Sequence, residues 1–273
     1  MVSIDEKRVY GEREGATTVY VAADIGVATV AVSDDIVGEF GITHRCTARD
    51  VATRRPSDAN AEPTATDDAA SRLAVATDED VLDDAFEPLD FGPAAAVGFD
   101  GDAILAASPD GTLARRAAGA DGWQDLGSVG EVRAIDGGLV ATADGVYRVL
   151  DDDVQHAGLD DVRDVAMAEV PLAATADGVY RLGNGWMQEF EGDVRVVASD
   201  GDRVHAATPD GLFARRDGEW EAESLPTDSA VVDVAYGDGT YVVTADGTLL
   251  VTVGDGWRHR SIGLRDVAAI AVP

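Results

Sequence analysis

Asp-Gly turns recur along this chain at a nearly constant interval, and that interval restricts the fold more than any other feature. Five are plain: Pro109-Asp110-Gly111, Ala143-Asp144-Gly145, Ala176-Asp177-Gly178, Pro209-Asp210-Gly211 and Ala245-Asp246-Gly247. Weaker forms stand at Asp24-Ile25-Gly26 and Asp78-Glu79-Asp80. From Asp78 onward the successive aspartates are 32, 34, 33, 33 and 36 residues apart. A period in this range is the mark of a repeat architecture. The longer step from Asp24 to Asp78 contains RRPSDANAEPTATDDAAS at Arg54–Ser71, polar, rich in Pro and Ala and without periodicity. Such a segment reads as a disordered loop insertion.

Each unit reads as four short strands. In 162–192 a run VRDVAMA is followed by PLAATA, an Asp-Gly turn, VYRL, a Gly-Asn-Gly turn and WMQEF. Asp-Gly is a strong hairpin signal because a type I′ turn needs positive φ at both central residues. A second recurring element follows the next turn, in Gly122-Trp123, Gly185-Trp186, Gly218-Glu219-Trp220 and Gly256-Trp257. Four-stranded units with a repeated turn and aromatic predict an all-β fold, a β-propeller with antiparallel four-stranded blades.

Six complete units begin near Val51, Ala96, Val132, Val162, Val194 and Val231. The chain then ends on a lone first strand within Arg265–Pro273, while strands for the rest of a blade lie at Thr17–Asp24, Gly26–Val32 and Val37–Ile42. Joined, they make a seventh blade, which closes the ring and removes two exposed strand edges. The expectation is one seven-bladed domain over 1–273, with residues 1–16 as an N-terminal tail.

Charge sets the environment. The 52 acidic residues against 21 basic ones, of which only Lys7 is a lysine, leave a net charge of −31. That charge would repel and loosen a compact state at ordinary ionic strength, whereas molar salt shortens the screening length to roughly 3 Å. A halophilic, cytoplasmic protein is the expectation. One cysteine excludes an internal disulfide framework, the N-terminus lacks a signal-peptide core, and no apolar run is long enough to span a membrane.

EKRVYGEREGATTVYVAAD at the start and HRCTARDVA at His44–Ala52 resemble the uncharacterised haloarchaeal β-propeller proteins over the full length. More distantly, the ATxDGVYR…GxW units are similar to propellers with sialidase-type Asp-box repeats and to the regulator propellers of sensor proteins. The resemblance implies the propeller fold and carries over no active site.

The sharpest candidate site comes from the first strands, which begin with Arg or Asp at matched positions. Arg49-Asp50, Arg163-Asp164 and Arg265-Asp266 have both, Arg133 and Arg195 have the Arg, and Asp233 has the Asp. A first strand lies innermost, so these residues are expected at one mouth of the central channel, on the face that also carries the Asp-Gly turns. One reading makes them blade-to-blade ion pairs. The other makes them a cationic mouth that captures an anionic ligand or an acidic peptide.

Other motifs carry less. Asp-Gly turns in different blades are spread around a circle, whereas calcium needs six to eight oxygens converging on a point. His44 and Cys46 form half of a zinc motif without a second pair, and no orienting third group accompanies them for nucleophilic chemistry. The repeated tryptophans read as packing between blades, or as sugar platforms if they reach the rim. Basic stripes are lacking, with Arg45, Arg49, Arg54 and Arg55 as the one local exception and too few to change the reading, and phosphate-binding glycine loops are absent, which argues against nucleic-acid or nucleotide binding; no cofactor is implied. The first reading is therefore a monomeric, non-catalytic scaffold binding a protein or peptide on one face. The alternative is a hydrolase or lyase acting on an anionic small molecule at the channel mouth.

Overall fold

The computed structural model describes residues 16–54, 73–254 and 256–273. The tail residues 1–15 and residues 55–71 of the expected insertion lie outside them. Arg54 is described and pairs with Asp102 at 2.5 Å.

The described strands form seven antiparallel sheets. Blade 1 has the C-terminal strand Val267–Ala271 innermost, followed outward by Thr17–Ala23, Gly26–Ser33 and Ile36–His44. Ala22 pairs with Ala269 and Val21 with Ile270, so hydrogen bonds between the two ends of the chain close the molecule. Blade 2 begins with Ala48–Thr53, blade 3 with Ala96–Asp100, blade 4 with Val132–Asp136, blade 5 with Asp164–Ala166, blade 6 with Val196–Ser199 and blade 7 with Val231–Tyr236. Each of these inner strands touches the next around the ring, and blade 7 returns to blade 1. Together these features define a seven-bladed β-propeller.

Blade 2 departs from the four-strand pattern. It has the strands Ala48–Thr53, Leu73–Thr77 and Val81–Leu82, and a single bridge between Leu82 and Pro88 stands where a fourth strand would run. The Asp80 carboxylate holds the segment that follows by accepting the amides of Phe91 (2.9 Å) and Gly92 (3.3 Å).

The Asp-Gly turns are built differently from the type I′ expectation. Gly145 has a φ of +124° and Gly111 one of +86°, but the aspartates before them are not in the positive-φ region. The conformation is pinned instead by a hydroxyl two residues before the Asp. Thr142 Oγ1 accepts the amide of Asp144 at 3.1 Å and donates to the Gly145 carbonyl at 2.8 Å, and Thr175 and Thr208 repeat the pattern. This is the local backbone mimicry that Ser and Thr offer. Glycine is required for space as well: a Cβ on Gly111 would lie 2.0 Å from the Gly130 carbonyl oxygen. A pair of positive φ values occurs one turn later, at Asp217 (51°) and Gly218 (86°).

The core consists of Val, Ala, Leu and Ile layers between adjacent blades. Val19, Val30, Leu249 and Val251 form one such layer between blades 1 and 7, and Leu105, Leu113, Val140 and Ile135 another between blades 3 and 4. Small residues dominate because inner strands approach closely: a Cβ on Gly98 would stand 2.6 Å from the Ile135 carbonyl oxygen.

The tryptophans join the outer parts of neighbouring blades. The Nε1 of Trp123 donates to the Leu89 carbonyl (2.8 Å), that of Trp186 to the Ala157 carbonyl (2.8 Å) and that of Trp257 to the Glu223 carboxylate (3.2 Å). Trp220 packs on Phe190 with ring centroids 5.3 Å apart, and its Nε1 is buried without an acceptor among the described residues.

Candidate functional site at the channel mouth

The inner strands surround a cavity of about 610 Å³ lined by Arg49, Arg133, Arg163, Arg195, Asp50, Asp136, Asp164 and Asp233. An inner strand has one edge paired within its blade and one edge facing the axis, and the axis-facing amides need acceptors. Aspartates supply them. Asp50 accepts the amide of its neighbour Val51 (2.8 Å) and, with its other oxygen, that of Val97 on blade 3 (2.9 Å). Asp164 does the same with Val165 and with Val197 on blade 6, both at 2.8 Å. Asp233 takes Val234 (2.7 Å) and Ile270 on blade 1 (2.9 Å). Three carboxylates thus tie blades 2 to 3, 5 to 6 and 7 to 1. Blade 4 is tied from the far end of its strand, where Asp136 accepts the amide of Met167 on blade 5 at 2.7 Å.

These carboxylates keep their protons unusually well. Burial pushes Asp50 up to about 6 against the opposing effect of its two amide donors. Burial pushes Asp233 to about 7, with the charges of Asp50 and Asp136 adding to it. Asp164 is raised well above the usual carboxylate range by burial and then by the charge of Asp233.

The arginines make a separate pattern at the start of the same strands. Arg133 on blade 4 pairs with Asp161 at 2.6 Å and donates to the Val162 carbonyl at 3.2 Å, both just ahead of the inner strand of blade 5. Arg163 on blade 5 repeats this with Asp193 and the Val194 carbonyl ahead of blade 6. The Arg-Asp dipeptide is therefore not itself an ion pair: the Asp serves backbone amides, and the Arg reaches an acid of the next blade. Asp161 and Asp193 escaped the sequence reading, although each stands two residues before an Arg. The 32-residue step that separates them, the same as between Arg163 and Arg195, is the signal that aligns them.

Structural equivalence shows where that partner is missing. The amides of Ala94, Val162 and Val194 all donate to a threonine carbonyl at or just past the end of the second strand of the preceding blade (2.9, 3.0 and 3.0 Å), which places Pro93 at the position of Asp161 and Asp193. Within blades 4 and 7 the amides of Ala143 and Ala245, each just after the threonine, donate to the carbonyls of Glu131 and Ala230 (3.2 and 2.9 Å); Glu131 stands two residues before Arg133 as Asp161 does before Arg163, so Ala230 holds that place on blade 7. Pro93 and Ala230 thus stand at the positions where Arg49 and Arg195 would find an acid of the next blade. Neither side chain has an ion-pair partner among the described residues, and both are exposed.

Arg265-Asp266 repeats the dipeptide without its place. Ile270, not Val267, receives the bridging carboxylate of blade 7, so Ala268 and Ala269 occupy the positions held by Arg163 and Asp164 on blade 5. Arg265 and Asp266 are exposed in the turn before the strand, and Asp266 shares with Asp161 a positive φ, 50° against 49°.

The remaining candidates are accounted for locally. His44 ends the outer strand of blade 1 and stacks on Phe86 at 5.2 Å, while Cys46 lies beyond that strand. Burial, with the charges of Asp78 and Glu79, raises the Cys46 thiol and so disfavours the nucleophilic thiolate. Asp110 is held below its ordinary range by Ser108 and Thr112, and Asp246 by Thr244, so these turn carboxylates are engaged by their own turns.

Comparison with solved structures agrees with the propeller class. The WD40 β-propeller domain of Doa1 aligns with a TM-score of 0.61 at 14% identity, covering 93% of this chain and 90% of that one. The computationally designed Ika8 protein aligns at 0.58 and 15% over 93% and 90%, and YCF48 bound to D1 peptide at 0.58 and 14% over 80% and 83%. At such identities the likeness is one of fold. No match is found among curated proteins. Residues 3–273 match the family described as "Beta-prop_HVO_0234:-like, beta propeller", and the chain belongs to that family.

Proposed function

We propose that this propeller is a non-catalytic scaffold that captures an acidic protein or peptide segment at the mouth where its inner strands begin. The observation that carries this reading is the pair of exposed guanidinium groups, Arg49 and Arg195, which have no ion-pair partner among the described residues, on a chain with 52 acidic and 21 basic residues. With acids in such excess an unpaired arginine is a localised attraction for an external anion, and arginine suits carboxylate recognition. Peptide capture is compatible with the fold, since YCF48 is bound to D1 peptide; that support is by analogy of fold. The same reading makes the protein a monomer of a cytoplasm with molar salt, supported by the net charge of −31. A pull-down in molar salt with the wild-type chain and the Arg49→Ala/Arg195→Ala variant tests it. A stoichiometric partner retained by the wild type and lost by the variant is the expected result. Equal retention by both would remove the mouth from the binding surface.

A further inference from the structure

Resting on the mouth reading, we infer that the captured segment is an extended chain bearing two acidic groups, one for Arg49 and one for Arg195, that lies across the opening without descending into it. Arg49 belongs to blade 2 and Arg195 to blade 6. Around the ring they are separated by blades 7 and 1 on one side and by blades 3, 4 and 5 on the other, so they stand on opposite sides of the channel. Between them on the longer arc, Arg133 and Arg163 are already neutralised by Asp161 and Asp193. Of the arginines that line the cavity, Arg203 pairs with Asp200 at 2.6 Å, so Arg49 and Arg195 alone lack an ion-pair partner among the described residues.

The channel below explains why the ligand stays at the rim. Asp50 and Asp164 directly follow mouth arginines in sequence, and with Asp233 and Asp136 they line the interior with carboxyl groups. An acidic ligand that descended would meet them. Once ionised, above about pH 7 for Asp50 and Asp233, these carboxylates repel an acid that descends. A segment laid across the mouth meets the two cations and avoids the acids. Once one acid is bound, the second is held near its arginine at high effective concentration, so two acids at the right spacing bind more tightly than one. An extended peptide advances roughly 3.3 Å per residue, which makes spacing the natural variable.

The test uses fluorescence anisotropy with labelled, C-terminally amidated twelve-residue Gly/Ser peptides carrying one glutamate, or two at varied spacing. It is run at the lowest salt concentration at which the full chain keeps its circular-dichroism spectrum. Two-glutamate peptides are expected to show an optimal spacing, binding there about tenfold or more tightly than the one-glutamate peptide. Arg49→Ala and Arg195→Ala should each erase that advantage, while weakening the one-glutamate peptide only about twofold, since either arginine can hold it. Unchanged melting temperatures confirm that the variants fold. If no spacing exceeds the single acid while both variants still weaken it strongly, both arginines grip one anion, and the two-acid inference is overturned although capture at the mouth stands. Displacement of the best peptide by equimolar glutarate also overturns the extended segment. If binding of every peptide ignores both substitutions, the mouth reading itself falls.

Discussion

The Asp233 carboxylate on blade 7 accepts the backbone amide of Ile270, the strand at the C-terminal end that completes blade 1, at 2.9 Å. The ring is therefore closed twice at this seam, by the ladder between the chain ends and by a carboxyl group whose pKa burial has raised to about 7. An Asp that binds its proton more readily when folded penalises the folded state as pH rises from the unfolded value, about 4, through the folded one. The penalty is absent below that window and complete above it. Asp233→Asn removes the titration, so the fall in wild-type stability between pH 4 and 8 should become shallower by roughly 2 to 4 kcal/mol. At pH 4 the variant should be the less stable protein, because an amide group cannot accept both backbone N–H groups. Denaturant titrations of both proteins at several pH values in molar salt measure this, and parallel curves would contradict it.

The paired arginines should behave differently from the free ones. Arg163 is 29% exposed and its partner Asp193 47% exposed, so solvent screens the pair. Arg163→Ala is expected to cost about 1 kcal/mol or less and to leave capture of an acidic peptide unchanged. Thermal melts and anisotropy on the same preparation check both halves.

Two tryptophans at equivalent positions offer an internal comparison. Trp186 donates to the Ala157 carbonyl at 2.8 Å, whereas Trp220 has no acceptor among the described residues. Replacement by Phe should cost about 1 kcal/mol more at 186 than at 220, since only the former loses a hydrogen bond and strands a carbonyl. Denaturation midpoints of Trp186→Phe and Trp220→Phe in parallel decide it.

Removal of Val267–Pro273 takes away the inner strand of blade 1, including buried Ala269, Ile270, Ala271 and Val272. The truncated chain leaves Thr17–Ala23 with an open edge and the Asp233 carboxylate without its second donor. It should lose the cooperative melt, and a melting temperature within a few degrees of wild type would show that the ring does not need this closure.

Salt should govern the whole fold. With a net charge of −31, lowering salt from about 3 M to about 0.1 M lengthens the screening distance to roughly 10 Å. The chain is expected to unfold or aggregate there, followed by circular dichroism and light scattering; an identical melt at both concentrations would argue against adaptation to salt.

The blade count and the closure were legible in the sequence because both are matters of period. Asp110, Asp144, Asp177, Asp210 and Asp246 mark one turn per blade, and a first strand without a sequel at the C-terminus faces three strands without a predecessor at the N-terminus. Such signals are local in the chain. What each polar side chain does at the axis was decided by register between blades. Arg163-Asp164 and Arg265-Asp266 read alike, yet only the former lines the channel, because the blade 1 strand meets blade 7 three residues further along, at Ile270. Likewise Arg133 and Arg195 read alike, and whether each is neutralised depends on which residue the next blade places at the equivalent position, Asp161 in one case and Ala230 in the other. Strand periodicity records which residues share a face. Partnership across the axis depends on how neighbouring sheets are offset, and that offset is set by packing of the Val, Ala and Leu layers between blades.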